Sequence, residues 1–231
     1  QQWSNPTEAK KALGFRVWGG DKTWIAPQSN WLEGIPPLDL DAAPYSFQWQ
    51  DQQAIMTSPV CRETGVQIIR RVGFKEGNLH LIEEVHNKTS KLLQVGLWNV
   101  TQVKRPCRFE IPSLASAFRS YHHEDKSLPA YQGDLSSSEH LLKVSCNDAS
   151  LFKVGGIPSK GELSIFIPAR LKEICFKKTF SFVSEANYAH QSAVEVFNSS
   201  QYPYAEIELH SPYVVLMPNE WVDLTQVWCV K

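Results

Sequence analysis

From residue 64 to the end, the chain is cut into short stretches of strand character, each closed by turn-forming residues. The runs are "GVQIIRRVGF" (65–74), "NLHLIEEVHN" (78–87), "LLQVGLWNVTQV" (92–103), "HLLKVSC" (140–146), "GELSIFIP" (161–168), "EICFKKTFSFV" (173–183), "AVEVFN" (193–198), "YAEIELH" (204–210) and "WVDLTQVWCV" (221–230). Between them, "KEGN" (75–78), "HNKTSK" (86–91), "NSSQYP" (198–203) and "MPNE" (217–220) suit tight antiparallel connections. No long amphipathic helix intervenes, which excludes the strand and helix alternation of a dinucleotide fold. Nine or more strands joined in this way predict an all-β antiparallel sandwich.

Two stretches depart from the pattern. The first 60 residues carry six prolines and five tryptophans. Such proline density prevents long regular elements, so residues 1–60 are expected to run as ordered loop and edge strand packed on the sandwich. A short helix is expected over "PTEAKKALG", with Asn5 as cap, Pro6 in the first turn and Gly14 at the end. Residues 112–138 lack sustained periodicity and read as a long excursion. The whole of 1–231 is read as one β-sandwich domain.

Charge and cysteine content narrow the function classes. Twenty-three basic and 24 acidic residues leave a net charge of −1 with no long run of either sign, which argues against nucleic acid and anionic membranes as partners. No stretch reaches the roughly 20 apolar residues of a membrane helix. The opening "QQWSNPTEAKK" has neither an initiator methionine nor the apolar core of a signal peptide. A processed or trimmed chain is therefore expected, and no compartment is assigned. The five cysteines, at 61, 107, 146, 175 and 229, form no C-x-x-C pair, so zinc ligation is not expected and most of them are expected to be buried thiols. Asn87, Asn99 and Asn198 begin N-x-S/T triplets. His122 and His123 are expected to face solvent, and neither a metal nor another cofactor is expected.

The residues that carry chemistry lie in a few clusters. In "YAEIELH", alternation places Tyr204, Glu206, Glu208 and His210 on one face, and Ala205, Ile207 and Leu209 on the other. That acidic face either meets water or lines a cleft. In a cleft, two carboxylates about 6–7 Å apart along the strand would raise the pKa of one of them, and His210 could pass on the proton. Trp18, Trp24, Trp31 and Trp98 sit among polar residues that include Asp21, Lys22, Gln28, Arg70 and Gln102. Indole faces stack on pyranose rings while such polar groups bind hydroxyls, although an ordinary core role competes for each tryptophan. Alternation in "LWNVTQV" puts Trp98, Val100 and Gln102 on one side. There is no G-x-S-x-G, phosphate-binding glycine loop or H-E-x-x-H.

Taken together, "WGGDKTWIAPQ", "ETGVQIIRRV", "VHNKTSKLLQVGLWNVTQV", "AVEVFN" and "YAEIELHSP…LMPNEW" resemble the aldose 1-epimerase (galactose mutarotase)-like superfamily, in particular its DUF4380-type branch. The resemblance implies an antiparallel β-supersandwich that binds a sugar on a concave sheet face. It also implies that the first strands of the usual fold are missing before Gln1 or come from another piece of chain. It implies a late-strand glutamate as general base, with Glu208 the best match and Glu206 next. The family's middle-strand histidine has no counterpart here, since Trp98 and Asn99 stand near its place. His210, His86 or His190 would have to substitute, with Lys22 assisting. Two functions follow as expectations: a mutarotase-like isomerase acting on a sugar, or a carbohydrate-binding or accessory protein without turnover.

Overall fold

A computed structural model of the chain describes residues 19–120, 137–138 and 140–230. The expected N-terminal helix, Trp18, His122 and His123 lie outside these residues. The described chain is built almost wholly of strands. They are β1 (Asp21–Ala26), β2 (Ser46–Gln50), β3 (Gln53–Thr57), β4 (Val66–Lys75), β5 (Asn78–Asn87), β6 (Leu93–Lys104), β7 (Cys107–Pro112), β8 (Phe118–Ser120) and β9 (Ser137–Ser138). There follow β10 (Leu141–Cys146), β11 (Phe152–Gly156), β12 (Glu162–Ile167), β13 (Ile174–Phe180), β14 (Val194–Asn198), β15 (Tyr204–His210), β16 (Val214–Leu216) and β17 (Trp221–Val230). A single helical turn, α1 (Leu38–Asp41), follows two short 3₁₀ turns.

These strands form two antiparallel sheets. The seven-stranded sheet runs β1-β6-β15-β14-β11-β8, with β16 also paired to β6. The ten-stranded sheet runs β2-β3-β4-β5-β17-β13-β12-β7-β10-β9. All nine strands read from the sequence are present, three of them (β5, β15 and β17) with unchanged ends. Tight hairpins explain the chain's local order. Gly77 closes the β4–β5 turn at φ 77° next to Glu76 at φ 53°, a left-handed pair that glycine accommodates without strain. Asp51 and Gln52 turn β2 into β3 in the same way, at φ 50° and 62°.

Strand alternation sorts the side chains. Ile25, Leu97, Val103, Ile207, Leu209, Val194, Val196 and Val154 point from the seven-stranded sheet toward its partner. There they meet Ile68, Val85, Phe109, Ile111, Leu142, Val144, Leu163 and Leu224 in one buried apolar cluster. The opposite face of the seven-stranded sheet carries Lys22, Trp24, Trp98, Lys153, Glu195, Glu206, Glu208 and His210. Residues 27–36 and the loops before β11 and β15 cover that face. The asparagines of all three N-x-S/T triplets are fully buried, so no glycan can reach them in the folded chain.

Candidate functional site

The acidic face of β15 does not meet bulk water. Glu206 is 7% exposed and Glu208 only 1%, and both line a cavity of about 410 Å³ together with Trp24, Gln28, Trp31, Trp98, Lys153, Phe197, Tyr202 and Tyr204. A volume of this order suits a small-molecule ligand. Its walls combine rings with a few convergent polar groups. Tyr202 and Tyr204 stack on one another at 5.5 Å, and Tyr202 keeps 39% of its surface exposed.

The cavity floor is set by register. Glu208 stands opposite Glu195 on β14 and opposite Val100 on β6, while Glu206 stands opposite Gln102. Lys153 Nζ donates to Glu208 Oε2 at 2.8 Å and lies 2.9 Å from Glu195 Oε2. The indole N–H of Trp98 also donates to Glu208 Oε2, at 2.8 Å. Glu195 Oε2 further meets His190 Nδ1 at 3.2 Å and His210 Nε2 at 3.1 Å. Gln102 Nε2 donates to Glu206 Oε1 at 2.7 Å.

This packing drives the three carboxyls apart. Burial, and next the charge of Glu208, raise Glu195 well above the ordinary carboxylate range. A proton on Glu195 is thereby favoured. Burial also acts to raise Glu208, but the Lys153 ammonium and the hydrogen bonds from Glu195 and Lys153 outweigh it and hold Glu208 below the usual range. Glu206 is pushed up to about 7, by burial first and by the Glu208 charge second, against the hydrogen bond from Gln102. Neighbouring carboxyls driven in opposite directions are what separates an acid from a base in one site.

Trp98 is 3% exposed. Trp31 and His210 stack on it at 5.2 and 5.5 Å, and Trp24 and His190 meet it edge-on at 5.3 and 4.7 Å. Protein rings thus take up its surface, and its N–H is used on Glu208. Trp24 lines the cavity and donates its N–H to Asp41 Oδ1 at 2.8 Å. Lys22 sits on the same sheet face and pairs with Asp41 at 2.7 Å. Gln28 is at the rim, bonded to the Gly34 carbonyl. His210 is buried beneath Trp98 against Glu195, behind the residues that line the cavity.

Asp21 and Arg70 lie elsewhere. They meet between the two sheets, Asp21 from β1 and Arg70 from β4, where Arg70 hydrogen-bonds Asp21 and approaches Glu83 at 3.4 Å. Alternation explains this, because Asp21 and Lys22 are neighbours on β1 and must point to opposite faces. Lys153, Glu195, Tyr202 and Tyr204 are absent from the sequence-based candidates. Lys153 and Glu195 each stand as a single charge within an apolar run, "LFKVGG" and "SAVEVF", and that was the available signal. His190, Glu195 and His210 bring donor atoms within 4.8 Å of one another, a set that suits a divalent transition metal. The Lys153 ammonium already supplies positive charge to that carboxylate.

The chain is similar to a galactose mutarotase-like protein from Lactobacillus casei ATCC 334, at TM-score 0.57 and 11% identity over 83% of this chain and 74% of that one. A galactose mutarotase related enzyme from Lactobacillus acidophilus gives TM-score 0.52 and 10% identity over 82% and 71%. A TPR-domain containing protein from Parabacteroides distasonis ATCC 8503 gives TM-score 0.56 and 10% identity, covering 90% of this chain but 37% of that one. No protein-family model matches the sequence, and no curated protein matches it. The fold is galactose mutarotase-like, a two-sheet antiparallel β-supersandwich. Among the described residues no helix is long and apolar enough to cross a membrane.

Proposed function

We propose that the protein binds a sugar in the cavity over Glu206 and Glu208 and catalyses its ring opening and closing, as a mutarotase-like isomerase. The observation that carries this reading is the pair of carboxyls on one cavity floor, with Glu206 raised to about 7 and Glu208 held ionised. Ring opening needs a proton taken from the anomeric hydroxyl and another delivered to the ring oxygen. Glu208, anionic, accepts the first as general base. Glu206 has a pKa near neutrality and donates the second, and the two exchange roles on closure. Glu195, tied by His190 and His210, positions Glu208, and Lys153 keeps it ionised. Tyr202 and Tyr204 offer rings to the apolar face of the sugar, and Gln28 offers an amide to its hydroxyls.

The fold shared with galactose mutarotase-like proteins supports this reading by analogy. The finer resemblance to the DUF4380-type branch rests on the sequence stretches alone. Exchange between anomers of glucose and galactose, followed by two-dimensional NMR or polarimetry, tests the reading. Glu206→Gln and Glu208→Gln are each expected to slow exchange by about 10²–10⁴-fold while sugar affinity stays within about tenfold. If the intact protein does not accelerate exchange for any common hexose, isomerase activity is refuted.

A binding role without turnover is favoured by one feature: Glu208 Oε2 already accepts from both Lys153 and Trp98, which weakens it as a base. Under that reading, sugar binding survives both glutamine substitutions and weakens by about tenfold in Tyr202→Ala.

A further inference from the structure

We propose that Cys107 and Cys146 are a built-in cross-link site, and that they join as a disulfide when the protein meets a low-molecular-weight disulfide oxidant such as oxidised glutathione. Cys107 opens β7, Cys146 closes β10, and the two are the final register pair of that antiparallel ladder. Directly opposite residues in such a pair have Cα atoms about 4.5 or 5.5 Å apart and side chains on one face, inside the roughly 4.4–6.8 Å that a disulfide spans. The neighbouring Cys107 thiol, ahead of burial, is also the main cause that raises the pKa of Cys146. Both are buried, at 2% and 0% exposure.

No other two cysteines stand opposite each other among the described strands. Cys229 pairs with Lys177, Cys175 pairs with Phe166, and Cys61 lies in the turn before β4. The odd cysteine count thus resolves into one pair and three single thiols.

The chemistry is exchange. A thiolate of one cysteine attacks the oxidant's disulfide, releasing one small thiol and leaving a mixed disulfide. The second cysteine, as thiolate, displaces the other small thiol. One protein S–S bond forms, the oxidant's S–S bond is reduced, and the two cysteine protons end on the two released thiols. Burial and the high pKa of Cys146 make this slow in the closed state, because the thiolate is the nucleophile. Both residues sit at strand ends beside turns, however, where local opening costs least.

The bond would close the loop from 107 to 146, which contains β8, β9 and the excursion. It would also brace the cavity rim. Arg105, two residues before Cys107, donates to the carbonyls of Asp148, Ser199 and Tyr202, and Asp148 lies two residues past Cys146. This proposal does not depend on what the cavity binds.

The test is to incubate the intact protein in oxidised and in reduced glutathione, block remaining thiols under denaturing conditions, and map peptides without reduction. The expected product is lighter by two hydrogen atoms, carries no glutathione, contains a Cys107–Cys146 linked peptide, and melts about 5–15 °C higher than the reduced form. Cys107→Ser is expected to abolish both the linked peptide and the shift. Peptide mapping of the unaltered protein decides the matter even if the variant does not fold. Complete alkylation of both residues after oxidation, linkage to any other cysteine, a persistent glutathione adduct or a lowered melting temperature would each overturn the proposal.

Discussion

The seven-stranded sheet buries charge on both of its faces, and the two clusters solve the same electrostatic problem differently. Between the sheets, Asp21, Thr23, Asn99 and Thr101 meet Arg70, Glu83, Lys178 and Gln226. Thr23 donates to Glu83 Oε1, and Gln226 Nε2 donates to its Oε2 at 2.7 Å. Asn99 Nδ2 donates to Asp21 at 2.9 Å and to Glu83 at 3.1 Å. Lys178 Nζ donates to Thr101 at 2.5 Å and lies 4.1 Å from the Trp228 ring centroid. Two cations face two carboxyls there, and the surrounding donors fill the carboxyl oxygens. On the other face, Lys153 is shared between Glu195 and Glu208, and burial with the Glu208 charge raises Glu195 well above the ordinary carboxylate range. The first cluster is closed and joins two sheets. The second borders an open cavity, which is why the same composition reads as structure in one place and as a candidate site in the other.

The comparison breaks most visibly on stability. Glu83→Ala leaves the buried cations Arg70 and Lys178 with Asp21 alone to balance them and should cost about 3–5 kcal/mol, measured by urea unfolding. Glu208→Gln should cost much less, because Glu195 can ionise in its place and keep Lys153 paired. Equal losses in the two variants would show that the cavity cluster is as structural as the other.

Protonation gives the next largest effect. Burial, opposed by Arg70, raises Glu83 from 4.5 to about 7, and Glu206 rises likewise to about 7. Between these limits the unfolded chain has released a proton that the folded chain keeps. Unfolding free energy should therefore be highest below pH 4.5 for these groups and fall as pH rises to 7, by roughly 3 kcal/mol for each. Lys178, lowered by burial from 10.5 to about 8, adds the opposite slope. The folded chain loses that proton first, so stability recovers from pH 8 to 10.5 by a similar amount. Glu206→Gln should remove part of the fall and leave the recovery, whereas Lys178→Met should remove the recovery alone. A fall that Glu206→Gln leaves unchanged would mean that Glu206 does not carry the proton.

The smallest effect lies at the rim. Tyr202→Ala should weaken sugar binding by about tenfold, as expected for loss of one stacking ring, and leave the unfolding midpoint nearly unchanged. Titration calorimetry against a hexose and a thermal melt check both halves.

Much of the fold was legible in the chain. The runs that became β5, β15 and β17 kept their ends because alternation and turn residues agreed at both termini. β11 was not read, since "FKVGG" carries two glycines and no clean alternation, and with it went Lys153. β1, β2 and β3 were hidden by the proline and tryptophan density around them. Trp24 and Trp98 were singled out as sugar platforms, and both pack among protein rings, because a sequence gives an aromatic's identity but not its neighbours. Glu206, Glu208 and His210 share a face as expected, yet only the two glutamates line the cavity, since Trp98 stacks over His210.

Alternation itself follows from backbone geometry, so the chain alone determined that Glu206 and Glu208 lie together. Which of the two faces meets the second sheet depends on strands far away in sequence, and no local pattern encodes it. That choice, made by packing, sent Asp21 and Arg70 into the interior, brought Lys153 and Glu195 to Glu208, and left a hollow above them.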